Sequence, residues 1–166
     1  MTRPDWDDYF MGLATLVATR ATCDRKHVGA VIVKDKQIIA TGYNGAPSGM
    51  PHCDSVGHEL VDMGGRMSCI RTLHAESNAL DRAGSLSEGA SLYCTALPCY
   101  ECAKRIINAK IETVFYKEYY ESRSTELVLN YFCDSPNARI YQLKETKPAL
   151  TSVATSDASP DAKPLR

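Results

Sequence analysis

The sequence predicts an α/β fold, a three-layer α/β/α sandwich with a five-stranded mixed sheet. Three observations carry this. Segments with helical spacing of apolar residues alternate with short β-branched runs. Two of those runs flank a tight turn signal, which marks a hairpin. The length of 166 residues, with 44% hydrophobic and 23% charged residues, is that of one ordinary globular domain. Such a chain buries a core without disulfide staples.

The elements follow in order. Trp6, Phe10, Leu13, Val17 and Ala21 recur at helical spacing after Pro4-Asp5, a helix start. Gly29 to Val33 is a short strand, Asp35-Lys36 a turn, and Gln37 to Tyr43 the second strand of a hairpin. Residues 44–70 are rich in Gly, Pro, Ser and Asp and read as one long loop. A loop of that length in a compact domain is functional or is held by something else. Ala75 to Ala83 is helical and ends at Gly84, and Ala90 to Thr95 is a strand. Cys99 to Ala109 is helical after Pro98, Ile111 to Tyr116 a strand, Glu121 to Phe132 a helix and Ala138 to Leu143 the last strand. Residues 1–145 form one domain. Residues 146–166, rich in Ser, Thr, Ala, Pro and Asp, read as a disordered tail.

Composition excludes several classes. A net charge of −1 disfavours a strongly basic nucleic-acid binder. No apolar run approaches a membrane span. The acidic N-terminal stretch lacks the apolar core of a signal peptide, so a cytoplasmic location is expected. Seven cysteines in a reducing compartment point to metal ligation or catalysis before disulfides.

Two short segments concentrate the chemistry. One is His74-Ala75-Glu76, the other Pro98-Cys99-Tyr100-Glu101-Cys102. Each opens a predicted helix. Cys99 and Cys102 are three residues apart and share a helical face. A helix N-terminus favours anions and keeps the sulfurs as thiolates. His74 adds a third ligand. Three protein ligands leave the fourth tetrahedral position of Zn²⁺ open, as in catalytic sites. Glu76 need not bind the metal and is placed to carry protons beside it. A lone C-x-x-C reads equally as a redox or structural-zinc element. The ordered pair H-x-E and P-C-x-x-C is the signature of zinc deaminases.

Four segments narrow the reading further: Cys23 to Val33, Gly42 to Gly49, Cys69 to Glu76 and Cys99 to Lys104. Together they closely resemble the deoxycytidylate (dCMP) deaminase family, over about residues 5–143. The resemblance implies a cytidine-deaminase-like fold and hydrolysis of dCMP to dUMP and ammonia, supplying dUMP for thymidylate synthesis. It implies a homo-oligomer, often a hexamer, activated by dCTP and inhibited by dTTP, with Mg²⁺ accompanying the triphosphate. It also implies that Glu76 takes a proton from water, gives it to cytosine N3 and then helps protonate the departing amine. Ala75 and Tyr120 fall among the substrate-binding positions.

Other residues keep two readings. Asn44 is a turn residue or a hydrogen-bonding partner of the sugar. Gly42, Gly45 and Gly49 let backbone approach a nucleotide, with Asn44 in an effector site, or only shape the loop. Arg25 and Lys26 contact a phosphate or are solvated turn charges. Tyr116, Tyr119 and Tyr120 stack on a base, line a subunit interface or pack a strand end. Lys117, Arg123 and Arg139 are usable phosphate partners, with nothing in their positions to choose among them. Cys23, Cys53, Cys69 and His58 fit a closed Cys₃His zinc site that ties the long loop to the first helix, as some family members have. His52 is a rival ligand. Cys94 and Cys133 read as core-filling thiols.

Rival functions are a nucleic-acid or free-nucleoside cytosine deaminase on the same fold, and a zinc-binding module without catalysis. A nucleic-acid deaminase needs a positive channel with stacking aromatics, and the dCMP-type segments weigh against a free-nucleoside deaminase. A zinc-binding module has no use for Glu76.

Overall fold

The computed structural model describes residues 3–65, 67–119 and 124–143. Helix α1 spans Trp6–Ala18. Asp5 caps it, its side chain accepting the N–H of Asp8 at 2.8 Å, and Asp7 and Asp8 favour the same end of the helix dipole. Phe10, Met11, Ala14 and Ala18 form its buried stripe. Ala21, expected on this helix, lies beyond its end, because the chain leaves the helix at Thr19.

Strands β1 (Gly29–Lys34) and β2 (Gln37–Tyr43) form the predicted antiparallel hairpin. Asp35 and Lys36 both have positive φ, 51° and 62°. That is the backbone a two-residue turn needs to match strand twist. β5 (Ser91–Ala96) pairs antiparallel with β1, and β6 (Thr113–Glu118) and β7 (Arg139–Gln142) continue it in parallel. The order is β2-β1-β5-β6-β7, a five-stranded mixed sheet.

Alternation along the strands divides the core. Val31, Val33 and Tyr93 face α1. Ala30, Ile32, Leu92, Cys94 and Val114 face α3 (Ala75–Ala83), α4 (Tyr100–Asn108) and α5 (Thr125–Asp134). The result is the expected α/β/α sandwich. Two glycines set the spacing of its layers. A Cβ on Gly29 would lie 2.0 Å from the carbonyl oxygen of Ala14 in α1. A Cβ on Gly42 would lie 2.2 Å from that of Ala75 in α3.

The 44–70 segment is not featureless. It carries a short helix, α2 (Cys53–Val56), and a separate two-stranded ribbon of β3 (Leu60–Asp62) and β4 (Met67–Cys69). The expected start of the last helix at Glu121 and the 146–166 tail fall outside the described residues. Among the described residues, no helix is long and apolar enough to cross a membrane.

Candidate active site

Antiparallel pairing of β1 with β2 and β5 brings the start of β1, the end of β2 and the end of β5 to one edge of the sheet. The Gly29 N–H donates to the Thr95 hydroxyl there at 3.1 Å. The first residues of α3 and α4 reach the same region. A cavity of about 510 Å³ opens at this edge, within the range of small-molecule sites.

His74 is the residue before α3, and Cys99 the residue before α4. His74 Nδ1 lies 3.4 Å from the sulfurs of both Cys99 and Cys102. All three donor atoms fall within 4.8 Å of one another. Tetrahedral zinc bonds would place a sulfur and a nitrogen ligand about 3.6 Å apart, so the donors fit Zn²⁺. Protonation fits it too. Hydrogen bonding from Cys102 and His74 pulls the Cys99 thiol down to about 4 against the opposing effect of burial. The hydrogen bond with Cys99 lifts His74 to about 9, and hydrogen bonding with Cys99 and burial push Cys102 up. The shifts leave Cys99 the readiest thiolate of the three donors.

Glu76 lies on the first turn of α3, is 4% exposed and lines the cavity beside His74 and Cys99. Burial raises its carboxyl above the usual range, and the charge of His74 opposes that shift. Ala75, fully buried, lines the same cavity. So do Arg25, Lys26 and Asn44. Arg25 donates to the Met67 carbonyl at 2.6 Å, and Lys26 pairs with Glu118 at 3.4 Å. The Asn44 amide bonds both Lys26 and Val28.

Other expected residues are placed elsewhere. Gly42 lies beneath α3 and does not line the cavity. Gly45 exchanges backbone hydrogen bonds with Leu73, and Gly49 (φ 82°) has open space around it. Tyr120 and Arg123 fall outside the described residues. Tyr116 packs in the core, as a strand-end residue would, and Tyr119 is exposed. Arg139 donates to the carbonyls of Ser135 and Ala138 and holds the corner between α5 and β7. Cys94 is fully buried, as expected. Cys133 is exposed and does not fill the core, because Val128 and Phe132 supply the inner face of α5. Val28, Ser68, Thr72, Ala96 and Leu97 complete the cavity wall. Val28 and Thr72 fall within the resembling segments, whereas Ser68, Ala96 and Leu97 are brought to the wall by folding alone.

A second cluster adjoins the cavity. Donor atoms of Cys23, Cys53, His58 and Cys69 all lie within 4.8 Å of one another. Cys53 and Cys69 are 3.6 Å apart, and Cys23 is 3.7 Å from His58 Nδ1. Two sulfur ligands on tetrahedral zinc stand about 3.8 Å apart, so this set also fits a closed metal site. Burial pushes Cys53 up to about 12. Burial also raises Cys69, but hydrogen bonds at Arg71, Glu59, His58 and Cys53 together outweigh it and bring the thiol down to about 7. His52 is not in this set, and its Nδ1 lies 3.1 Å from the Thr22 hydroxyl. Cys23 and Cys69 line the cavity as well.

Comparison with known proteins matches this arrangement. The profile of the cytidine and deoxycytidylate deaminase zinc-binding region covers residues 4–118. ComE operon protein 2 of Bacillus subtilis is 45% identical over 125 residues, 74% of this chain and 64% of that protein. The deoxycytidylate deaminase of Mycobacterium phage D29 is 44% identical over 127 residues, 70% of this chain and 97% of that one. The crystal structure of dCMP deaminase from cyanophage S-TIM5 in complex with dCMP and dUMP superposes with a TM-score of 0.66. It is 28% identical and covers 86% of this chain and 100% of its own. With its fold, its two-segment donor set and these relatives in agreement, the chain belongs to the zinc-binding cytidine and deoxycytidylate deaminase family.

Proposed function

We propose that this chain hydrolyses dCMP to dUMP and ammonia. The observation that carries the reading is Glu76, buried in the cavity two residues after His74 and beside the Cys99–Cys102 pair. Relatives that bear the dCMP deaminase name, one solved with dCMP and dUMP, support the choice of substrate.

His74, Cys99 and Cys102 hold the catalytic zinc, which when bound supplies Lewis acidity that makes water a nucleophile at neutral pH. The remaining work falls to the protein. A C4–O bond forms and the C4–N bond to the amine breaks. Glu76 carries one water proton to cytosine N3 and the second to the departing nitrogen, which leaves as ammonia. A carboxyl that both accepts and donates works best with a pKa near the working pH, and its burial moves it in that direction. Asn44 and Ala75 position the nucleoside, and Arg25 and Lys26 meet the phosphate. Tyr120 completes the substrate residues. Cys23, Cys53, His58 and Cys69 hold a structural zinc that orders the long loop.

The protein acts in the cytoplasm as a homo-oligomer, a hexamer. dCTP activates it and dTTP inhibits it. The triphosphates bind with Mg²⁺ along the 42–49 segment, at Gly42, Asn44, Gly45 and Gly49. The test is an ultraviolet deamination assay on zinc-replete protein, comparing dCMP, deoxycytidine and a cytosine-containing single strand, with and without dCTP. Turnover of dCMP that rises with dCTP is expected. Activity on the single strand alone would move the chain to the nucleic-acid class, and silence on all three would overturn the enzymatic reading.

A further inference from the structure

The second cluster has a neighbour outside its donor set. Asp24 Oδ1 lies 3.0 Å from Nε2 of His58, while Nδ1 of the same ring lies 3.7 Å from the Cys23 sulfur. A neutral imidazole carries one N–H, and its other nitrogen is the one free to bind a metal. We infer that Asp24 is a positioning residue for this metal site: it accepts the Nε2–H of His58 and so turns the Nδ1 lone pair toward Cys23, Cys53 and Cys69. The inference rests on the reading that this cluster holds zinc.

The chain delivers ligand and orienting group together. Cys23 and Asp24 are consecutive, and Arg25, next along, ties the same segment to β4 through the Met67 carbonyl. β4 in turn ends at Cys69. The three residues therefore address the site, its outer hydrogen bond and its supporting ribbon from one stretch of loop. The Asp24 side chain is exposed, so solvent screens its charge. Its action lies in the direction of the hydrogen bond, which selects the tautomer and holds the ring plane. Such outer partners typically contribute about 10–100-fold to metal affinity.

The experiment uses the full zinc-loaded chain and compares wild type with Asp24→Ala and Asp24→Asn. Zinc content is counted, and zinc is then withdrawn with a graded chelator. Wild type should hold about two zinc ions per chain, one for each donor set. Asp24→Ala should release one of them about 10–100-fold more readily while retaining the other. Asp24→Asn keeps an acceptor oxygen and should recover much of the lost affinity. With zinc in excess, the Ala variant should melt at the wild-type temperature, whereas a merely structural residue would lower melting even then. A wild-type count near one zinc would overturn the second site and this inference with it. Two zinc ions held equally well by wild type and Asp24→Ala would overturn the role of Asp24 alone. Lowered melting of the Ala variant in excess zinc, without a change in affinity, would do the same.

Discussion

Asn44 and Lys26 are joined by a side-chain hydrogen bond: Nδ2 of Asn44 donates to the Lys26 carbonyl at 2.8 Å. Its Oδ1 accepts the Val28 N–H at 2.7 Å, so one amide pins both ends of a three-residue segment that borders the cavity. Asn44→Ala removes both bonds. We expect a loss of stability of about 2 kcal/mol, from about 1 kcal/mol per bond. KM for dCMP should rise, because the backbone at Lys26 would no longer be held in place. Urea denaturation and steady-state kinetics check the two effects separately. Unchanged values in both would remove Asn44 from the site.

Much of this arrangement was legible in the sequence for a physical reason. His74 and Cys99 each stand immediately before a helix, so a local pattern predicts where the side chain will sit. The hairpin was legible because its turn and its strands are both local features. The β3–β4 ribbon was not. Leu60, Val61 and Met67 are exposed, so no alternation of inside and outside marks it. Its order comes from contacts distant in sequence, such as the Cys53–Cys69 approach. Gly42 keeps two readings for a related reason. A glycine that admits a helix and one that admits a ligand look alike until the helix is placed.

Glu76→Gln preserves the size of the side chain and removes the exchangeable proton. Zinc content should stay at the wild-type level, because Glu76 is not among the donors. The rate should fall by about 10²–10⁴-fold, the usual contribution of a general acid–base group. Metal analysis paired with single-turnover kinetics reads both quantities. Wild-type turnover by the Gln variant would contradict the assignment.

The Tyr93 hydroxyl donates to Asp7 Oδ1 at 2.7 Å and links β5 to α1. Burial, then the carboxylate beside it, push the Tyr93 phenol above its ordinary value. A group raised on folding contributes stability that is fully present below its unfolded pKa, here about 10. Above that pH the unfolded chain ionises first and stability declines. Tyr93→Phe should cost about 1 kcal/mol at neutral pH. It should also flatten the alkaline decline, so the two proteins converge in stability above about pH 10. Chemical denaturation across pH 7–11 measures this.

Gly42→Ala places a methyl group against the backbone of the helix that carries Glu76. No side-chain rotation relieves a 2.2 Å approach to a carbonyl oxygen, so α3 must move. Overpacking of this kind costs about 1–3 kcal/mol. We expect a lower melting temperature together with a lower kcat, since the displaced helix begins at the active site. Loss of stability with full kcat would show that the helix yields at its far end.

The exposure of Cys133 gives this chain a built-in clock for thiol chemistry. Of its seven cysteines, five lie in the two donor sets and Cys94 is sealed in the sheet. A thiol reagent therefore meets Cys133 first, in a fast phase that counts protein molecules. With both donor sets loaded with zinc, the donor sulfurs should react only as the ions depart, so each later phase would report the lifetime of one site. A single colour-change trace then separates the two sites by their kinetics.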